Sequence, residues 1–152
     1  MTTIRRATID DGPALAALRW AWHHEGHPDA AETFEEFAAN YGAWWASDEN
    51  SHRAVVAESN GQLVGMGFLA VLVRVPDVDH RRRVDGDIQS VYVEPNLRDA
   101  GVGSDIVREL IKVAYEVGCE KVTVQSSTRA RSLYGREGFE VPTRLMARRL
   151  AT

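Results

Sequence analysis

The chain is poor in cysteine, has no long apolar run and carries no surplus of positive charge. Its one cysteine, Cys119, excludes an intrachain disulfide framework and any cysteine-built metal cluster. That usage suits a reducing cytoplasm, the expected location. The longest apolar stretch, Leu63 to Val73, is broken by glycines and too short to span a bilayer as a helix, so no membrane partner is expected. The first residues, Met-Thr-Thr-Ile-Arg-Arg, carry no apolar signal core. A net charge of −4 argues against nucleic acid as a partner. No repeat, low-complexity tract or linker divides the 152 residues, which fit one domain, 1–152.

Charge is spread unevenly. Residues 1–60 hold four arginines against ten carboxylates, a net −6, and the remainder has fourteen cations against twelve anions, a net +2. An acidic N-terminal part can draw in a cationic small molecule or can simply be a solvated helix surface.

The most informative stretch is Val91 to Ser104, Val-Tyr-Val-Glu-Pro-Asn-Leu-Arg-Asp-Ala-Gly-Val-Gly-Ser. An alternating β-type run stops at Pro95, a glycine-bearing turn follows, and a strongly periodic helix begins. That order sets free backbone N–H groups at a helix N-terminus, where phosphate binds. A Walker A loop is excluded because no Gly-Lys-Ser/Thr closes the segment. A dinucleotide fingerprint is excluded because Ile106 stands where the third glycine belongs. What remains is Arg-x-x-Gly-x-Gly, on Arg98, Gly101 and Gly103.

Turn and cap residues give the rest of the order. Thr2 to Ala7 reads as a strand. Thr8 with Asp11, and Thr33 with Glu36, read as capping boxes that open helices to about His24 and Ser47. Asn60-Gly61 joins strands Arg53–Glu58 and Gln62–Val73 in a hairpin. A polar loop, Arg74 to Gly86, leads to a strand from Asp87 to Glu94. A helix from Ser104 to Val117 ends at Gly118. Then come a strand from Lys121 to Ser126, a short helix capped by Ser127 or Thr128 and running to about Arg136, and a last strand around Thr143 to Leu150. The pattern is an α/β (α+β layered) fold.

Val-x-Val-x-Pro followed by Arg-x-x-Gly-x-Gly resembles the acetyl-CoA motif of the GNAT superfamily of N-acetyltransferases. A second stretch, Leu133-Tyr134-Gly135-Arg136-Glu137-Gly138-Phe139, resembles that family's Leu-Tyr-x-x-x-Gly-Phe helix at the expected distance. The element order is similar over essentially the whole chain. The resemblance implies a mixed, mostly antiparallel twisted sheet of six to seven strands with about four helices. It implies acetyl-CoA as cosubstrate, no metal, and transfer of an acetyl group to a primary amine by direct attack in a ternary complex. It further implies cofactor contacts from Val91, Tyr92 and Val93 on the fourth strand, from the Arg98, Asp99, Ala100, Gly101, Val102, Gly103 and Ser104 loop, and from Ser127. Asp99, Ala100 and Ser127 depart from the residues common there, and Arg108 is a candidate compensating cation. A bulge or splay in the fourth strand is implied as the source of unpaired backbone groups.

Tyr134 is the candidate general acid, because a phenol of pKa near ~10 is protonated at neutral pH and can donate to a leaving thiolate. Asp87 is the candidate base, which period-two alternation places on one strand face with Gln89, Val91 and Val93. Trp20, Trp22, Tyr41, Trp44 and Trp45, with Glu25 and Glu36, are candidates for the acceptor wall, against helix core as the commoner role for any one of them. The expected acceptor is a small cationic or amino-acid-like amine. Alternatives are a protein N-terminus or lysine, and a CoA-binding sensor or partner subunit without catalysis. Exposed strand edges leave a homodimer open. His23, His24 and His27 read as helix-end histidines rather than a zinc site, since Pro28 stands where a second zincin histidine belongs.

Overall fold

The computed structural model describes residues 1–47 and 51–151. Strand β1 (Thr2–Arg6) leads through a 3-10 turn (Ile9–Asp11) into helix α1 (Gly12–Gly26) and helix α2 (Phe34–Ala46). Strands β2 (His52–Ser59), β3 (Gln62–Arg74) and β4 (Arg83–Val93) follow. A 3-10 turn (Pro95–Leu97), helix α3 (Val102–Val117), strand β5 (Cys119–Val124) and helix α4 (Arg131–Arg136) complete the order.

Local chemistry fixes these boundaries. Asp11 accepts from the Thr8 backbone N–H at 2.7 Å, and Glu36 accepts from the Thr33 N–H at 2.8 Å, so both expected capping boxes form. Asn60 and Gly61 have φ of 50° and 76°, the left-handed pair that a two-residue hairpin demands. Gly118 ends α3 at φ 89°, its N–H returning to the Ala114 carbonyl.

The sheet runs β1-β2-β3-β4-β5, antiparallel except for the parallel β4–β5 pair. Alternation along β2 divides the core. Val55 and Ala57 join Ile106, Val107 and Leu110 of α3 on one face, and Ala54 and Val56 join Leu15 and Leu18 of α1 on the other. Gly67 of β3 lets α3 lie close, since a Cβ there would sit 2.7 Å from Ile106 Cγ2.

The described residues form five strands, not six to seven. The expected strand at Thr143–Leu150 pairs with no neighbour: its backbone lies outside every ladder, and Leu145, Met146 and Leu150 are exposed. A strand is stable only with a hydrogen-bonded partner and a buried face, and this segment has neither. In the other direction, β4 starts at Arg83 rather than Asp87, because Arg83 to Gly86 pairs with Val71 to Arg74 of a long hairpin.

Candidate active site

Strand β4 changes character halfway along. From Val84 to Ile88 it is paired on both sides, to β3 and to β5. Beyond Ile88 the β5 ladder stops, its last pair being Ile88 with Val124. On the β3 side, Met66 pairs with Tyr92 and Phe68 with Gln89, so Ser90 and Val91 together oppose Gly67. This two-against-one step is a β-bulge, with Ser90 at φ 53°. The strand is therefore both bulged and splayed from β5, and its C-terminal backbone faces open space.

The bulge corrects one expectation. Asp87 does not share a face with Val91 and Val93. Ile88, Val91 and Val93 pack toward α3, while Gln89, opposite Phe68, and Tyr92, packed with Met66, face α1 and α2. Asp87 sits with Gln89: Gln89 Nε2 donates to Asp87 Oδ2 at 3.0 Å and Thr123 Oγ1 donates to Asp87 Oδ1 at 2.6 Å. One extra residue shifts the side-chain period, which strict alternation could not foresee.

At the end of the splayed strand lies the start of α3. Asp99 at φ 62° and Gly101 at φ 85° bend the chain into the helix. No side chain caps that end, so the N–H groups of Val102, Gly103 and Ser104 have no intrahelical acceptor. Val102 itself points into the core, and Ala100 is exposed and off the groove. A Cβ on Gly103 would come within 3.2 Å of Leu133, so the helix start and the α4 region approach closely here.

A groove of about 510 Å³ runs from this bend. Val91, Tyr92, Val93, Arg98, Asp99, Gly101, Gly103, Ser104, Ser127 and Tyr134 all border it. A second hollow of about 430 Å³ continues it past Tyr134, Val91 and Ser127 to Asp87 and Gln89. Ser127 shapes the entry to α4, its Oγ accepting from the Ala130 N–H at 3.3 Å. Tyr134 is buried, with its ring against Phe139 at 5.5 Å between centroids. Burial pushes its phenol pKa up, so it stays protonated. Tyr134 borders both hollows, and its hydroxyl, which bonds no other described residue, is open to them rather than enclosed.

Two cations behave otherwise than the sequence suggests. Arg98 is held: Nε donates to the Val93 carbonyl at 2.8 Å, and Nη2 donates to both carboxylate oxygens of Glu25 at 2.8 Å. Tyr92 Oη adds a 2.6 Å bond to the same carboxylate. Arg98 and then Tyr92 hold the Glu25 pKa below its usual range, while burial first and Glu25 second push Tyr92 up to about 12. Arg108 is engaged with Asp105 at 2.7 Å and Glu137 at 3.1 Å, away from the groove. Arg129 and Arg136 border the groove instead. Sequence reasoning missed this pair, although their place beside the Leu-Tyr helix was the available signal.

The aromatic residues divide by place. Trp22 lies on both hollows. Trp20 packs on His24, Phe34 and Phe37. Trp45 donates to the Thr8 carbonyl at 3.0 Å and meets Phe68 edge-on. Tyr41 and Trp44 wall a smaller pocket with Phe68. Glu36 is taken up by its helix cap. The His23 and His27 rings stack, and no group among the described residues has the makings of a metal site. No helix among the described residues is long and apolar enough to cross a membrane.

A bulged fourth strand, splayed from the fifth beside an uncapped helix start, belongs to a fold shared with known acetyltransferases. Two solved structures share it over nearly their whole length. One is a predicted acetyltransferase from Clostridium acetobutylicum, solved with acetyl-CoA (TM-score 0.77, 21% identity, 98% of this chain and 96% of that one). The other is glucosamine-6-phosphate N-acetyltransferase from Arabidopsis thaliana (TM-score 0.74, 20% identity, 99% of each chain). A profile of the Acetyltransferase (GNAT) family matches residues 14–139, and the chain belongs to this family of acyltransferases, which use acetyl-CoA as cosubstrate. Among curated relatives, an uncharacterized N-acetyltransferase from Archaeoglobus fulgidus is 28% identical over 142 residues, covering 91% of this chain and 93% of the relative. Glucosamine 6-phosphate N-acetyltransferase from Trypanosoma brucei brucei is 30% identical over 89 residues, 59% of this chain and 58% of the relative. N-alpha-acetyltransferase MAK3 from Arabidopsis thaliana is 41% identical over 64 residues, 40% of this chain and 34% of the relative. The matches to these last two thus span little more than half, and about a third, of the relatives' lengths.

Proposed function

We propose that the chain transfers an acetyl group from acetyl-CoA to a primary amine of a small acceptor. One observation carries this reading: a mostly buried tyrosine, its hydroxyl protonated and open to the groove, lies on a continuous hollow between an uncapped helix start and a carboxylate.

The residues fit the cosubstrate. The N–H groups from Val102 to Ser104 offer the diphosphate what a helix start offers any anion, with Arg129 and Arg136 adding charge at the groove edge. Asp99 is a tolerable residue in the bend, because its left-handed backbone is one that Asp accepts more readily than most side chains. The backbone N–H groups of Val91 and Val93 have no β5 partner and lie where the pantetheine arm and thioester would run, while the Val93 carbonyl is taken by Arg98. Asp87, working through a water, takes the proton that leaves the attacking amine. As the new N–C bond forms and the C–S bond breaks, the Tyr134 hydroxyl gives its proton to the departing sulfur. Resemblance to a glucosamine 6-phosphate acetyltransferase supports a small acceptor, and the shorter match to an N-alpha-acetyltransferase keeps a protein N-terminus as the second reading.

Thermal unfolding with acetyl-CoA tests the binding half. A ligand at a hundred times its Kd adds about 2.7 kcal/mol, so a clear rise in melting temperature is expected. Thiol release with a panel of amines tests the transfer half. Binding without any amine-dependent thiol release would leave a CoA sensor as the better account.

A further inference from the structure

Arg19 differs from Arg5 and Arg6 in its partners, and from Arg53 in facing an aromatic pocket. Arg5 is paired with Asp11 and Glu58, and Arg6 with Glu109 and Glu116. Arg19 lies half-buried on α1, its guanidinium carbon 4.7 Å from the centroid of the Trp22 ring, with no carboxylate partner among the described residues. It opens into a pocket of about 240 Å³ walled by Tyr41, Trp44 and Phe68 and floored by Gln89 and Ser90 of the bulge. No Asp or Glu among the described residues lines that pocket.

Burial pushes the Tyr41 pKa up to about 12 against the opposing pull of Arg19, so the ring remains a neutral phenol beside the cation. The two carboxylates that could have received a cationic acceptor are committed, Glu25 to Arg98 and Tyr92, and Glu36 to its helix cap. The pocket is therefore aromatic on its walls and positive at one side. Its floor leads directly to the proposed base, since Gln89 bonds Asp87 through Nε2 and meets His52 Nε2 through Oε1 at 3.0 Å. Gln89 and Ser90 also border the hollow that reaches Tyr134.

We propose that Arg19 is the acceptor's anchor, so that the substrate is a primary amine that also carries an oxyanion, a carboxylate or a phosphate, on a body flat enough to stack on aromatic rings. The proposal rests on the acetyl-transfer reading and narrows it. The guanidinium, already stacked on Trp22, is preorganised to pair with an oxyanion through its fork of donors. Anion at Arg19 and amine toward Asp87 then orient the nucleophile along the floor of the pocket.

Matched pairs of amines test it. L-phenylalanine against 2-phenylethylamine isolates a carboxylate, and glucosamine 6-phosphate against glucosamine isolates a phosphate. Each is titrated calorimetrically into the protein with CoA and assayed for thiol release with acetyl-CoA. The anionic member of at least one pair is expected to bind and to react more than about tenfold better, the factor a single well-placed ion pair supplies. Which pair separates tells carboxylate from phosphate. Arg19→Gln is expected to erase that preference through KM, Arg19→Lys to keep part of it, and both to retain the thermal shift with acetyl-CoA that shows an intact fold. Equal binding within both pairs, or a preference that survives Arg19→Gln, overturns the anchor. Because titration reads binding without turnover, absence of thiol release alongside selective binding counts against acetyl transfer and leaves the anchor standing.

Discussion

The two halves of β4 do opposite work with the same kind of backbone. From Val84 to Ile88 the strand is paired to β3 and β5. Here the side chains hold the sheet: Asp85 is buried with Oδ2 at 3.5 Å from both Arg74 and Lys121, and Gly86 sits under Leu69 and Cys119. From Gln89 to Val93 the β5 partner is gone and a bulge interrupts the β3 side. Hydrogen-bonding groups on that side have no β5 partner, and the proposed function gives the N–H groups among them to the cosubstrate. In the proposed reading a binding surface arises here from withheld pairing rather than from special side chains, and the half laddered on both sides supplies the rigidity that the open half gives up.

That contrast can be tested from either end. The largest effect is expected at Tyr134. Tyr134→Phe should lower kcat by about 10²–10⁴, the range of general acid–base catalysis. It should leave the thermal shift with acetyl-CoA intact, and a parallel loss of both would make Tyr134 structural. Asp87→Asn comes next. It keeps the shape and the bond accepted from Gln89, with the Thr123 hydroxyl turning to Gly86 and accepting from the new amide, but it removes the base, so kcat should fall by roughly 10²-fold with a small change in melting temperature. Stopped-flow thiol release with a reactive amine reads it, and a rate unchanged across pH would remove Asp87 from the chemistry.

In the paired half the sign reverses. Gly86→Ala puts a methyl 2.7 Å from Leu69 Cδ1, which should cost about 1–3 kcal/mol of stability as overpacking. Its affinity for acetyl-CoA should stay the same, because the open half is untouched. Denaturant unfolding and calorimetric titration separate the two.

The smallest effect concerns Glu25. Its pKa is lowered in the folded chain, chiefly by Arg98, so its contribution to stability is present above the ordinary glutamate range and fades as pH falls through the depressed folded value. The group is partly exposed, so Glu25→Gln should cost no more than ~1 kcal/mol at pH 7. The gap between the two proteins should close in acid. A gap that does not narrow at all as the pH is lowered would mean that Glu25 acts through packing rather than charge.

Much of this could be read along the chain, and the reasons are local. Capping boxes at Thr8 and Thr33, the Asn60-Gly61 turn and the Gly118 stop involve neighbours a few residues apart. The uncapped start of α3 and the burial of Tyr134 also agree with the pattern of glycines and apolar residues around them. What escaped had partners far away in sequence. Arg98 looked available for phosphate until Glu25, 73 residues distant, was found holding it. Arg108 looked like a compensating cation until Glu137 claimed it. Asp87 was assigned the face of Val91 because the bulge is set by pairing across to Gly67, a contact that no alternation pattern contains.

The sequence by itself determined the capped helix starts, the hairpin turn, the stop at Gly118 and where a helix would offer bare N–H groups, since caps, left-handed turns and apolar periods act within a few residues. Tertiary structure alone decided that β5 parts from β4 after Ile88, that Thr143–Leu150 gains no ladder, and that Arg19 faces an aromatic pocket without a carboxylate among the described residues. Each of those outcomes depends on which distant groups compete for the same partner, and that competition is settled only when the chain is packed.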